Sequence, residues 1–242
     1  MPSACYSDVV PAVERLCFAL DVDTTDAALA LVDELNGHVG VFKVGLELFI
    51  VGGPELVRTV RARGVEVFLD LKLHDIAATV AAAVRRAVAL DVRYLTIHAS
   101  GGPGMLRAAA DAAAGTRTTL LAVTALTSLS DDDLAAAGFA ENAVTLVPRL
   151  ARLAAEAGVG GIVCSPLEVE AVGRVTPSLF KVTPGIRGSG DVAGDQVRTM
   201  SAYDAIVAGA DLLVVGRPIR SAQNRVAAAD AVVAAIDAAL SR

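Results

Sequence analysis

The sequence predicts an α/β fold, a single (β/α)8 TIM barrel, and three observations carry that prediction. Eight short β-branched runs alternate with Ala-rich stretches of helical periodicity. The runs are apolar on both faces, as parallel strands beneath a layer of helices must be. The chain has 242 residues, 54% hydrophobic and 20% charged, which suits one barrel with ample material for its core. The expected domain is residues 1–242. Residues 1–15 precede the first strand as an N-terminal extension that forms a short extra helix across the barrel bottom.

The expected strands follow in order. The first, Leu16–Val22, ends in Asp21-Val22-Asp23, and the helix after it carries Ala27, Leu29, Leu31, Val32 and Leu35. The second, Val39–Val44, contains Lys43, a residue rarely found in the middle of a buried strand. The third, Val65–Leu71, runs into Asp70-Leu71-Lys72-Leu73-His74-Asp75-Ile76 and then a helix from Ala77 to Val84. The fourth, Tyr94–His98, ends in a histidine. The fifth, Thr119–Thr124, leads to Thr127-Ser128, and the next helical pattern runs from Val144 to Ala154. The sixth, Gly161–Cys164, ends in a cysteine read as a small buried residue. The seventh, Leu179–Thr183, leads to Thr183-Pro184-Gly185-Ile186-Arg187, and the eighth, Leu212–Val215, to Gly216-Arg217-Pro218. Active sites of such barrels lie at the C-terminal ends of the strands, and that is where the polar residues gather.

Several function classes drop out. The net charge is −6 and the pI about 5.1, with no basic cluster for nucleic acid and no basic amphipathic stretch for a membrane surface. No apolar run reaches bilayer length. Met1-Pro2-Ser3-Ala4-Cys5 lacks the layout of a secretion signal. Cys5, Cys17 and Cys164 are scattered without metal-ligand spacing. A reduced, cytoplasmic protein with no metal site is the expectation.

The densest chemistry lies after the third strand. Residues i and i+2 of a strand share a face, so Asp70 and Lys72 point one way and Leu69, Leu71 and Leu73 the other. Asp75 adds a second carboxylate at the start of the next helix. Two acids flanking one lysine suit proton transfer, but an ordinary ion pair with Asp75 as N-cap would read the same locally. Gly216-Arg217 marks a phosphate site, since the glycine admits close backbone approach and the arginine offers a bidentate fork. Residues 187–196, with three glycines and no apolar periodicity, read as a long functional loop at the barrel mouth. His74 and His98 are weaker candidates for a general base, and His38 beside Gly37 reads as a turn residue.

Taken together these residues resemble the orotidine 5'-phosphate decarboxylase family. Asp70-Leu71-Lys72-Leu73-His74-Asp75 is similar to its Asp-x-Lys-x-x-Asp signature. Leu20–Asp23, Phe42–Gly45, Leu126–Ser128, Thr183–Arg187, Asp195–Arg198 and Val215–Ile219 extend the likeness over nearly the whole chain. One departure is Ala77-Ala78, where many relatives carry Pro-Asn. It bears on the helix cap and leaves Asp75, Ile76 and Thr79 in place.

The resemblance implies decarboxylation of orotidine 5'-monophosphate to UMP, the last step of UMP synthesis, without a cofactor. It implies that Lys72 protonates the reacting carbon, that Asp70 lies beside the departing carboxylate, and that Lys43 bridges the ribose and Asp70. Asp21 would bind a ribose hydroxyl and Thr127 the pyrimidine ring. Gln196 would reach from the lid, and Arg187, Gly216 and Arg217 would hold the phosphate side. Asp75, Ile76 and Thr79 would enter the neighbouring site of a homodimer. Two alternatives remain: a related Mg²⁺-dependent sugar-phosphate barrel enzyme, disfavoured by Lys43, and a non-catalytic phospholigand-binding barrel, which has no use for Asp70.

Overall fold

The computed structural model describes residues 10–187 and 199–242. Among these, eight parallel strands close into a barrel in sequence order, β1 hydrogen-bonded to β8. The first half of the chain runs β1 (Leu16–Ala19), α1 (Thr25–Leu35), β2 (Val41–Val44), α2 (Leu46–Arg61), β3 (Glu66–Leu73), α3 (Ala77–Val88), β4 (Tyr94–His98) and α4 (Gly102–Ala113). The second half runs β5 (Thr119–Val123), α5 (Asp131–Ala136), α6 (Ala143–Glu156), β6 (Gly161–Val163), α7 (Val169–Val175), β7 (Phe180–Thr183), α8 (Ala202–Val207), β8 (Leu212–Val215), α9 (Arg217–Arg220) and α10 (Arg225–Leu240). The (β/α)8 expectation is met. The main differences are at strand ends: β1 stops at Ala19, before Asp21, and β3 extends through Leu73.

Strand alternation divides the apolar residues into two cores. Cys17, Ala19, Val41, Phe68, Tyr94, Leu121, Val182 and Val214 fill the barrel interior. Leu16, Phe18, Phe42, Val67, Leu69, Leu95, Ile97 and Leu213 face outward beneath the helices. The interior is filled by aromatic contacts low in the barrel, where Tyr94 stacks on Phe180 at 5.4 Å and meets Phe68 edge-on at 6.0 Å. Gly161 makes room for them, since a Cβ there would lie 2.6 Å from the Phe180 carbonyl and 2.7 Å from Leu121. The barrel interior is therefore a packed core beneath its C-terminal mouth.

Two local features mark the two ends of the barrel. α2 is broken at Gly53, whose φ of 56° places it in the left-handed region, just before Pro54. A single 3-10 turn, Ala12–Arg15, packs at the opposite end, where Gly40 lets the Glu14 backbone approach to 2.5 Å of the position a Cβ would take. Residues 1–9 lie outside the described residues.

Candidate active site

A cavity of about 470 Å³ opens at the C-terminal ends of the strands, a size suited to a small-molecule ligand. Its wall brings together Asp21, Lys43, Asp70, Lys72, Thr127, Arg187, Gly216 and Arg217. They come from the ends of different strands or the loops after them, except that Asp70 and Lys72 share β3 and Gly216 and Arg217 both follow β8. Gln196 lies outside the described residues, as does most of the expected lid.

The charges alternate across the floor. Asp70 is 8% exposed, and its Oδ2 is 2.8 Å from Lys72 Nζ and 3.6 Å from Lys43 Nζ. Lys43 Nζ is also 3.4 Å from Asp21 Oδ1. Burial works against the Asp70 charge, but the ammonium groups of Lys43 and Lys72, with hydrogen bonds from Lys72 and Thr96, hold its carboxyl below the usual carboxylate range. Burial likewise works against charge on Lys43, and the carboxylates of Asp70 and Asp21 outweigh it, so its ammonium titrates above the usual lysine range. Both groups are thus ionised at neutral pH. Cys17, directly below in the interior, is kept a neutral thiol by burial.

Lys72 does not continue a regular strand. Its φ is +49°, a conformation that costs on the order of 1–3 kcal/mol for a residue with a Cβ. The simple alternation of strand faces therefore fails at this residue, although its side chain still meets Asp70. Thr96, which sequence reasoning missed, bonds both residues. Its hydroxyl accepts from the Lys72 N–H at 2.8 Å and donates to Asp70 Oδ1 at 2.9 Å. The signal was available, since Thr96 shares the inward face of β4 with Tyr94 and His98.

Gly216 follows β8, and a Cβ there would sit 3.3 Å from both Ala19 Cβ and Asp21 Oδ2. Arg217 opens α9 and is exposed. Arg187 turns a buried Nε, without a hydrogen-bond partner among the described residues, into the cavity region. Arg220, also missed, lines the cavity and donates to the Asp21 carbonyl oxygen. It lies one helical turn after Arg217, a spacing that places both on one side of α9.

Asp75, Ile76 and Thr79 stand apart. All three are exposed, Ile76 at 71%, and none lines this cavity. Asp75 neither starts nor caps α3. The helix begins at Ala77 with Ile76 at the cap position, and Asp75 Oδ1 accepts the Ile76 N–H at 2.6 Å. With alanines at 77 and 78, no side chain caps that helix end. His74 and His98 stack with ring centroids 5.3 Å apart, and burial together with His74 and Lys72 keeps His98 neutral by lowering its pKa. Cys164 is wholly buried in the outer core. Among the described residues no three His, Cys, Asp or Glu side chains gather as a metal site, and no helix is long and apolar enough to cross a membrane.

Comparison with known proteins agrees with this geometry. Residues 14–232 match the model of the orotidine 5'-phosphate decarboxylase / HUMPS family. The orotidine 5'-phosphate decarboxylase of Anaeromyxobacter dehalogenans is 50% identical over 224 residues, covering 92% of this chain and 98% of the relative. That of Syntrophus aciditrophicus is 47% identical over 228 residues, covering 90% and 91%. The crystal structure of the Lactobacillus acidophilus enzyme of the same name superposes with a TM-score of 0.82 at 33% identity, covering 92% of this chain and 98% of that one. The chain belongs to the orotidine 5'-phosphate decarboxylase / HUMPS family.

Proposed function

We infer that this family member decarboxylates orotidine 5'-monophosphate to UMP and CO₂ in pyrimidine biosynthesis, with Lys72 as the proton donor and no cofactor. The observation that carries the reading is the buried Asp70 carboxylate held ionised between two ammonium groups at 2.8 and 3.6 Å.

The substrate carries a carboxylate on an electron-poor ring. When the bond to that carboxylate breaks, CO₂ leaves and the electron pair stays on a ring carbon that has no overlap with the ring carbonyls. Lys72 stabilises this charge and then gives up an Nζ proton to the carbon, ending as a neutral amine that solvent reprotonates. Asp70 faces the departing carboxylate. Two like charges ~4 Å apart repel by about 4 kcal/mol at an effective dielectric of ~20. Enzymes lower barriers by roughly 8–23 kcal/mol. Repulsion alone is too small, so most of the effect falls to the Lys72 ammonium and to phosphate binding realised in the transition state.

The remaining assignments follow the same placement. Asp21 and Lys43 take the ribose, Thr127 the ring, and Arg187, Gly216 and Arg217 the phosphate. Gln196 joins them from the loop. Asp75, Ile76 and Thr79 serve a second subunit's site in a homodimer. Support for this is that all three are exposed and outside their own chain's cavity. Leu46, Ile50 and Val51, which follow the neighbouring strand β2, are also 50–80% exposed, and exposed apolar residues of this kind often mark interfaces. The scattered cysteines and acidic composition favour a cytoplasmic setting.

The test is the fall in orotidine 5'-monophosphate absorbance with purified protein in EDTA. Turnover is expected. Activity lost in EDTA and restored by Mg²⁺ would replace this reading with that of a metal-dependent relative.

A further inference from the structure

The β3–β4 ladder is interrupted where the charges sit. Phe68 and Leu69 pair with Tyr94 and Leu95, and pairing resumes only at Leu73 with Ile97. Asp70, Leu71 and Lys72 therefore stand opposite Thr96 alone. Lys72 there adopts φ +49°, a conformation that persists for a lysine only where its surroundings hold it. Thr96 is completely buried and does not line the cavity, so it cannot touch a bound nucleotide. It nonetheless bonds two charged residues that do line it, Asp70 and Lys72. Its hydroxyl accepts the Lys72 backbone N–H, which has lost its ladder position, and donates to Asp70 Oδ1. Asp70 Oδ2 is thereby left to face Lys72 Nζ and Lys43 Nζ.

We propose that Thr96 is a positioning residue for the decarboxylation, one hydroxyl fixing both the backbone turn that aims Lys72 and the rotation of the Asp70 carboxylate. This rests on the decarboxylase reading of the site. Terminal carboxylate torsions are broad, so without the Oδ1 donor Asp70 rotates between its two lysines. Without the acceptor, the Lys72 N–H is left unpaired and its strained turn relaxes. Small misplacements of reacting groups cost on the order of a hundredfold in rate.

Thr96→Val keeps the shape of the side chain and removes the hydroxyl, whereas Thr96→Ser keeps the hydroxyl and removes the methyl group. With orotidine 5'-monophosphate as substrate, kcat of Thr96→Val is expected to fall at least about tenfold, with UMP affinity within about threefold of wild type. Thr96→Ser should retain kcat within about twofold. A Thr96→Val kcat within about twofold of wild type overturns the proposal. So does a serine variant as slow as the valine one, or UMP affinity lost in step with kcat, which is what loosened packing gives. If circular dichroism finds Thr96→Val unfolded, Thr96→Ala against Thr96→Ser reads the same hydroxyl: a slow alanine and fast serine variant support it, and equal rates overturn it. A wild-type protein inactive on this substrate would instead overturn the decarboxylase reading, and the proposal with it.

Discussion

Replacing Lys72 with alanine separates transition-state stabilisation from binding. The Lys72 ammonium makes a 2.8 Å contact with Asp70 Oδ2. A developing carbanion at a similar contact distance would gain about 6 kcal/mol from that ammonium at an effective dielectric of ~20. Lys72 remains 32% exposed at its side chain, so solvent screens part of this. Even half, about 3 kcal/mol, corresponds to more than a hundredfold in rate. Loss of the proton source adds to the deficit. Asp70 keeps Lys43 at 3.6 Å and Thr96 at 2.9 Å, so its carboxylate stays paired and UMP, which lacks the substrate carboxylate, should still bind. The assay is single-turnover decarboxylation alongside UMP titration. A Lys72→Ala variant keeping more than about a tenth of wild-type kcat, a loss under ~1.4 kcal/mol, would remove Lys72 from its assigned role.

Arg217→Ala should lower kcat/KM by about two orders of magnitude or more, because a charge-assisted fork to phosphate contributes to transition-state binding; equal turnover of the nucleotide by the variant would take Arg217 out of the site. Mixing Asp75→Asn with Lys72→Ala, each inactive alone, should restore activity, since one site of the heterodimer then draws both residues from undamaged chains; verified subunit exchange with no recovery would return Asp75 to its own chain. The stability contributed by Asp70 should be complete above the ordinary carboxylate value of ~3.9 and fade as pH falls below it, because its folded pKa is depressed. Urea midpoints of wild type and Asp70→Asn are therefore expected to converge between about pH 4 and more acidic conditions, and a gap that widens there would contradict the depression.

What the sequence made legible, and what it hid, follows from the range of the interactions involved. The strands were readable because parallel strands beneath helices must be apolar on both faces, and the runs from Tyr94 to His98 and from Leu212 to Val215 match their observed bounds. Lys43 was readable because a charge in such a run demands partners, and the fold supplies Asp21 and Asp70. The turn at Lys72 was not readable. Face alternation assumes extended backbone, and the interruption is held by a hydroxyl 24 residues away on the next strand. The start of α3 at Ala77 was legible, but the role given to Asp75 at that start was not: Asp is a favoured capping type, yet its carboxylate bonds the adjacent Ile76 N–H instead of a helical one.

Lys43 also bears on the proposed chemistry in a family whose description joins two names. A divalent cation in this cavity would seek Asp21 and Asp70, yet the Lys43 ammonium already lies between them, 3.4 Å from one and 3.6 Å from the other. Those carboxylates outweigh its burial and keep it charged. A divalent ion ~3.5 Å from that ammonium would be repelled by about 9 kcal/mol at an effective dielectric of ~20. Two carboxylates whose charge the lysines already neutralise have little attraction left to offset it. The same ammonium, together with that of Lys72, lets Asp70 remain ionised while buried, because an unpaired carboxylate in that position would take up a proton. On the proposed reading, a protonated Asp70 could neither oppose a substrate carboxylate nor hold the Lys72 ammonium by charge. On the proposed reading, Lys43 would thus do two things with one charge: disfavour a metal ion between Asp21 and Asp70, and help sustain the buried anion beside the proposed proton donor Lys72.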